Sequence, residues 1–252
     1  MWKLFLRDIN TRKELFCILR PSSKGGLIMS FCDELRKETN LYWEGSFQHP
    51  FVKGIADGTL PLDNFKYYMI QDAYYLKHYA KVLAFSAAKC STPEEFQYYT
   101  DMAKFITEAE LELHRSVFLE LGITKDELEQ SEPAPSAINY INHMYSAVHN
   151  GDVAEAFAAM MPCPWLYLEI GMYYKDAKPG VQQYEDWIAM YSNDDFQSTI
   201  QKQIGMMNSY AAAASPEKLT ILKSHFTKSC YYEYLFWDMA WSKETWIPEG
   251  LR

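Results

Sequence analysis

Asp57-Gly58-Thr59-Leu60-Pro61-Leu62-Asp63-Asn64-Phe65-Lys66-Tyr67-Tyr68-Met69-Ile70-Gln71-Asp72-Ala73-Tyr74-Tyr75-Leu76 holds the punctuation that organises this chain. Asp57-Gly58 followed by Pro61 stops one helix and Leu62-Asp63 caps the next, because glycine accommodates a helix end and proline cannot continue one. Apolar residues then recur at helical spacing to about residue 90. The same period predicts helices over 30–45, 49–57, 62–90, 93–121, 124–129, 133–149, 151–160, 163–176, 180–190, 193–213 and 215–241. Glu120-Leu121-Gly122, Pro133, Pro135 and Asn150-Gly151 supply the remaining breaks. No run alternates β-branched with polar residues, so strands are not expected. Long helices joined by short turns imply an all-α bundle with its ligand site between facing helices.

Composition narrows the class. The chain has 252 residues, enough for a large core, and no stretch as apolar and long as a membrane span. A net charge of -9 argues against nucleic acid or an anionic membrane as partner. Cys17, Cys32, Cys90, Cys163 and Cys230 are scattered, with no C-x-x-C pair, which suits a reducing cytoplasm rather than a disulfide framework or zinc cage. The 19 tyrosines bring hydroxyls that need partners in or near the core, and flat rings on which a ligand could stack. Residues 1–28 mix apolar and charged positions and end in Pro21-Ser22-Ser23-Lys24-Gly25-Gly26, so they are read as an upstream extension outside the fold. Ser30 is a plausible N-cap ahead of Asp33 and Glu34, which begins the folded part.

The chemistry-bearing segment is Met160-Met161-Pro162-Cys163-Pro164-Trp165-Leu166-Tyr167-Leu168-Glu169. Proline suits the first turn of a helix, so Cys163 is expected near a helix start, where the dipole and free N–H groups favour a thiolate. The alternative is an inert buried cysteine. Asp72 lies one turn from Tyr68, Tyr75 and Leu76, and Glu233 sits among Tyr231, Tyr232, Tyr234, Phe236 and Trp237. Desolvation there should raise the Glu233 pKa, as a general acid requires. Each carboxylate could instead be structural, satisfied by tyrosine hydroxyls or backbone N–H groups. A di-iron centre needs Glu-x-x-His, and none of the six histidines has a carboxylate three residues earlier. Glu110 and His114, at i and i+4, read as a solvated pair, so no metal site is expected; a haem pocket with one histidine ligand is left open by spacing alone.

Several motifs, in order, resemble the TenA family, also called thiaminase II or aminopyrimidine aminohydrolase. They are Trp43-Glu44-Gly45-Ser46-Phe47-Gln48-His49-Pro50-Phe51, Asp57-Gly58-Thr59-Leu60-Pro61, Phe65-Lys66-Tyr67-Tyr68, Gln71-Asp72, Tyr140-Ile141-Asn142-His143-Met144-Tyr145, Pro162-Cys163-Pro164-Trp165-Leu166-Tyr167 and Ser229-Cys230-Tyr231-Tyr232-Glu233-Tyr234-Leu235-Phe236-Trp237. The resemblance spans residues 29–248, leaving 249–252 as a tail. It implies a single-domain, haem-oxygenase-like helical fold that uses no haem or other cofactor, and a homotetramer. It implies hydrolysis of 4-amino-5-aminomethyl-2-methylpyrimidine to the hydroxymethyl pyrimidine in thiamine salvage, and cleavage of thiamine in many members. By motif, Cys163 corresponds to the nucleophile, Glu233 to the proton donor and Asp72 to the carboxylate that binds the pyrimidine's amino edge. Tyr75 matches the tyrosine that supports the thiolate, Tyr140, Tyr167 and Tyr191 match pocket residues, and Phe236 with Tyr167 would supply stacking surface. A related oxygenase, or a pyrimidine-binding regulator without catalysis, are the rival readings. The intact Cys163, Asp72 and Glu233 set favours the hydrolase, because binding alone needs no nucleophile.

Overall fold

A computed structural model describes residues 29–247, without the side chains of residues 109–116. The expected extension over 1–28, the tail over 249–252 and the Glu110–His114 pair lie outside the described parts. Among the described residues every regular element is a helix. The first six are α1 (Phe31–Glu38), α2 (Asn40–Phe47), α3 (Pro50–Asp57), α4 (Leu62–Ala87), α5 (Pro93–Leu121) and α6 (Lys125–Gln130). Then follow α7 (Pro135–Asn150), α8 (Val153–Met160), α9 (Pro162–Tyr173), α10 (Gln182–Tyr191), α11 (Asp194–Ala212) and α12 (Pro216–Ser242). No helix among them is long and apolar enough to cross a membrane.

Local signals account for most boundaries. Ser30 caps α1, its hydroxyl accepting from the Asp33 amide while the Asp33 side chain accepts from the Ser30 amide. The single helix expected over 30–45 is two helices. Thr39 lies between them at φ −99° and ψ 7°, outside ordinary helical angles, with its hydroxyl donating to the Leu35 carbonyl at 2.7 Å and accepting from Trp43 Nε1 at 2.9 Å. Gly58 ends α3 in the left-handed conformation, φ 71°. Pro61, not Leu62-Asp63, occupies the cap position of α4, and Asp63 lies in the first turn, where it complements the dipole.

The bundle is built around α12, which packs against α1, α2, α3, α4, α7, α8 and α9. The second long pairing is α4 against α5, with α7 and α8 also on α4. Facing positions of α4 and α12, among them Phe65, Tyr68, Val82, Leu222, Phe226 and Trp237, are fully buried. A buried side chain of this size contributes roughly 1.5–3 kcal/mol. Gln71, also buried, accepts from the Ala134 amide at 2.9 Å and donates to the Glu132 carbonyl at 3.2 Å. It thereby ties the approach to α7 onto α4 and sets where Tyr140 enters the core.

Gly171 governs the crossing of α9 and α10. A Cβ at that position would lie 2.5 Å from the Tyr191 carbonyl carbon, a backbone atom that no rotamer change can move. Gly171→Ala should therefore destabilise the protein by about 1–3 kcal/mol. Urea unfolding should show a lower midpoint with an unchanged slope; an unaltered midpoint would show that the helices can part freely.

Candidate active site

Proline at 162 and 164 shapes the cysteine's surroundings more than the helix dipole does. Met161, between α8 and α9, keeps helical angles, φ −63° and ψ −33°, so the chain bends without leaving the helical region. The C-terminal carbonyls of α8 therefore abut the first turn of α9, and Cys163 does not sit at the isolated positive end that the sequence suggested. Pro164 has no N–H for the Met160 carbonyl four residues earlier. That carbonyl accepts the Tyr79 hydroxyl at 3.4 Å, and the Ser229 hydroxyl donates to the Ala159 carbonyl at 2.7 Å. Tyr79 thus replaces the donor that Pro164 withdrew, and Ser229 adds a second tie between α12 and the bend.

Cys163 is half-buried, and desolvation pushes its thiol well above the ordinary cysteine range. The Glu233 and Asp72 charges push the same way, while a hydrogen bond from Tyr75 opposes them. The expectation of a resting thiolate is therefore corrected: burial in apolar surroundings outweighs any dipole effect, and the sulfur rests as a thiol.

Glu233 comes from α12 and is buried, 2% exposed. Burial raises its carboxyl to about 7, with Tyr140 and Cys163 acting as nearby donors in the opposite direction. Glu233 Oε1 and Tyr140 Oη nevertheless make no hydrogen bond of ordinary geometry. Glu233 is thus a carboxyl poised to exchange protons near neutrality, beside a thiol that can supply one. The Tyr75 ring lies 5.1 Å from Tyr140 and 5.6 Å from Phe236, and its hydroxyl also points at Met144 Sδ, 3.7 Å away.

Asp72, on α4, is buried one turn after Tyr68. It lines a cleft open to solvent together with Tyr68, Trp187 and Tyr191, while Val117 and Glu120 come from α5. Tyr167 packs its ring 4.8 Å from Tyr191 and 5.1 Å from Trp237. Phe236 packs edge-on to Tyr68 and Tyr75 rather than against Tyr167. A second cavity, too small to hold a water molecule, lies behind Glu233, lined by Tyr42, Trp43, Pro162, Leu166 and Cys230. Cys163 lines neither of these two cavities.

The eight residues singled out in the sequence thus converge from α4, α7, α9, α10 and α12. Electrostatic coupling joins Cys163 to Asp72, Tyr75, Tyr140, Tyr191 and Glu233. Sequence reasoning missed Tyr68, Tyr79, Trp187 and Ser229. Three of these lie one helical turn before a residue it had found: Tyr68 before Asp72, Trp187 before Tyr191, Ser229 before Glu233. That i, i+4 spacing was the available signal. Among the described residues, no group of three or more His, Cys, Asp or Glu side chains could hold a metal ion.

The TENA/THI-4/PQQC family pattern matches residues 36–243. The chain belongs to this family. It is 42% identical over 224 residues to an aminopyrimidine aminohydrolase of Bacillus subtilis strain 168, covering 89% of this chain and 95% of the relative. Among solved structures, a TenA homologue protein from P. horikoshii OT3 superposes with a TM-score of 0.78 at 27% identity, over 85% of this chain and 99% of that one. A Shewanella denitrificans domain with a heme oxygenase-like fold superposes with a TM-score of 0.66 at 18% identity, over 86% and 94% of the two chains. The family member described here is therefore a single haem-oxygenase-like domain.

Titration of Glu233 gives a stability test of the site. An acid whose folded pKa lies above its unfolded value binds more protons in the native state, so stability is lost as pH rises through the window between them. For Glu233 that window runs from its ordinary 4.5 to about 7. Wild type should lose stability relative to Glu233→Gln across that range in denaturant titrations. A pH-independent difference would show that the carboxyl is not desolvated.

Proposed function

We propose that the protein is an aminopyrimidine aminohydrolase of thiamine salvage, converting 4-amino-5-aminomethyl-2-methylpyrimidine to the 5-hydroxymethyl compound and ammonia. The reading extends to cleavage of thiamine, which carries the same pyrimidine with a different leaving group. It is supported by the 42% identical relative of that name and by one structural observation. A cysteine thiol and a carboxyl raised to about 7 are electrostatically coupled in a buried aromatic site that also feels Asp72. A binding protein has no use for that pairing.

Asp72 accepts a hydrogen bond from the exocyclic amine and fixes the ring's orientation, which contributes positioning rather than bond-making. Cys163 does not line the cleft that Asp72 lines, so the reaction requires side chains to move for the ring to reach both. Because the sulfur rests protonated, Glu233 takes the thiol proton as sulfur adds to the ring carbon beside the substituted one. Addition breaks aromaticity and drives electrons toward the side group, which leaves as ammonia after Glu233 returns the proton. Water then adds to the exposed exocyclic methylene, Glu233 receiving its proton. The electron pair returns through the ring, the carbon–sulfur bond breaks and the proton goes back to sulfur. Each use of Glu233 as base and then acid is typically worth 10²–10⁴-fold. Tyr75 assists by donating to the sulfur as charge develops on it.

We place the protein in the cytoplasm, as a homotetramer. Four free cysteines among the described residues support the first assignment. Exposed Leu41, Tyr173, Tyr231 and Trp241 offer apolar surface for the second.

Steady-state kinetics on the free aminopyrimidine and on thiamine test the activity, and their specificity constants rank the two substrates. No turnover of either would refute it. Cys163→Ser should keep substrate binding and lose at least about 10²-fold in kcat; near-full activity would remove the nucleophile assignment. Since the reactive form pairs a carboxylate with a thiol, kcat should rise with pH through about 7, the value to which burial lifts Glu233. Glu233→Gln should lack that limb, and a retained limb would assign it to another group.

A further inference from the structure

The backbone just before Cys163 is gripped by hydroxyls from two different helices. Ser229 Oγ on α12 donates to the Ala159 carbonyl at 2.7 Å, and Tyr79 Oη on α4 donates to the Met160 carbonyl at 3.4 Å. These carbonyls are consecutive at the end of α8, and Cys163 follows in the first turn of α9. Within a helix a carbonyl takes the amide four residues on. For Met160 that residue is Pro164, which has no N–H, so Tyr79 stands in for it. For Ala159 it is Cys163 itself. Ser229 therefore acts on the oxygen whose bonding governs how the Cys163 turn is wound.

Close helix approach makes this grip possible. Ala156, Ala158 and Ala159 are fully buried on α8, and their small side chains let α12 lie near enough for a serine to reach a backbone oxygen. Ser229 is itself 0% exposed, so no solvent competes for its proton. A buried carbonyl left without its donor is costly, which keeps the hydroxyl aimed there. Both donors also share a helix face with residues of the site. Ser229 precedes Glu233 by one turn on α12, and Tyr79 follows Tyr75 by one turn on α4. The turn that carries the acid is thus tied to the backbone one turn ahead of the sulfur.

We infer that Ser229 and Tyr79 are positioning residues for the reaction, a two-helix clamp on the Ala159 and Met160 carbonyls that sets the Cys163 sulfur relative to Glu233 and Tyr75. Both act through the backbone, since their protons are committed to carbonyls. Addition to a flat ring needs the sulfur over one carbon while the acid reaches the departing group. A displacement of about 1 Å in such an arrangement costs on the order of 10²-fold in rate. The inference rests on the aminohydrolase reading above for its kinetic part and adds what holds the nucleophile in register.

The test compares wild type with Ser229→Ala and Tyr79→Phe, each of which removes one hydroxyl and keeps the rest of the packing. Three quantities are measured: kcat on the aminopyrimidine, the inhibition constant of the inert analogue 2,5-dimethylpyrimidin-4-amine, and the alkylation rate of each cysteine by iodoacetamide, read by peptide mass spectrometry. Ser229→Ala should lower kcat about tenfold and Tyr79→Phe, which loses the longer bond, about fivefold. The inhibition constant should stay within about twofold, because the clamp acts on the sulfur and not on ring binding. Cys163 should alkylate at least about threefold faster as its turn is freed. Cys32, 1% exposed on α1, should keep its rate. Turnover that falls while only Cys163 grows more reactive is a pattern global loosening cannot give, since loosening would expose Cys32 as well. An unchanged kcat in either folded variant, analogue binding lost in step with kcat, or Cys32 and Cys163 accelerating together overturns the inference. If Ser229→Ala does not fold, Tyr79→Phe decides on the same criteria. A wild type that turns over neither substrate refutes the aminohydrolase reading, and the alkylation rates then decide the clamp alone.

Discussion

The desolvated Glu233 carboxyl is the constraint around which the rest of the structure is arranged. A carboxylate in a helical core is costly, and the fold neither exposes it nor pairs it with a cation. The cost appears as a raised proton affinity; the adjacent Cys163 thiol is kept protonated chiefly by its own burial, with the Glu233 charge pushing the same way. Burial thus raises the proton affinity of the carboxyl and of the thiol alike. Placing Glu233 on α12, the helix that touches most of the others, fixes that pair from all sides.

The cysteine's half of the pair depends on a helix bend with an unusual hydrogen-bond account. Prolines on either side of Cys163 remove backbone donors exactly where the chain passes the site, and buried carbonyls must then be satisfied from elsewhere. Tyr79 on α4 supplies the donor that the Met160 carbonyl lost, and Ser229 on α12 adds one to the Ala159 carbonyl. The same two helices carry Asp72 and Glu233. A displacement of either helix would thus disturb both the bend and the acids, so the site is held by backbone satisfaction as well as by packing. Gly171 completes the arrangement by letting α10 approach closely enough for Tyr191 to meet Tyr167.

Around this pair the polar groups of the tyrosine-rich core are hydrogen-bonded to one another. Tyr68, Tyr167 and Trp187 satisfy one another in a region from which water is excluded. A hydrogen-bond network of that kind specifies geometry more than it adds stability, because each bond's net worth is small while an unmade one is costly.

The amino-acid sequence by itself determined the helical architecture, since punctuation such as Asp57-Gly58 and Pro61, and an apolar period close to 3.6, are local properties that need no partner. It also made Asp72, Cys163 and Glu233 conspicuous, as polar groups inside apolar helix faces. Tertiary structure alone decided the protonation state of Cys163, because local context at a helix start favours a thiolate whereas burial beside Glu233 and Asp72 favours the thiol. It likewise decided the conformation at Thr39, whose hydroxyl bonds both Leu35 and Trp43, and the hydrogen bonds of Tyr68, Trp187, Tyr79 and Ser229. The physical reason is common to all of them. Dielectric environment and hydrogen-bond partners from other helices are set by residues distant in the chain, and no local pattern encodes them.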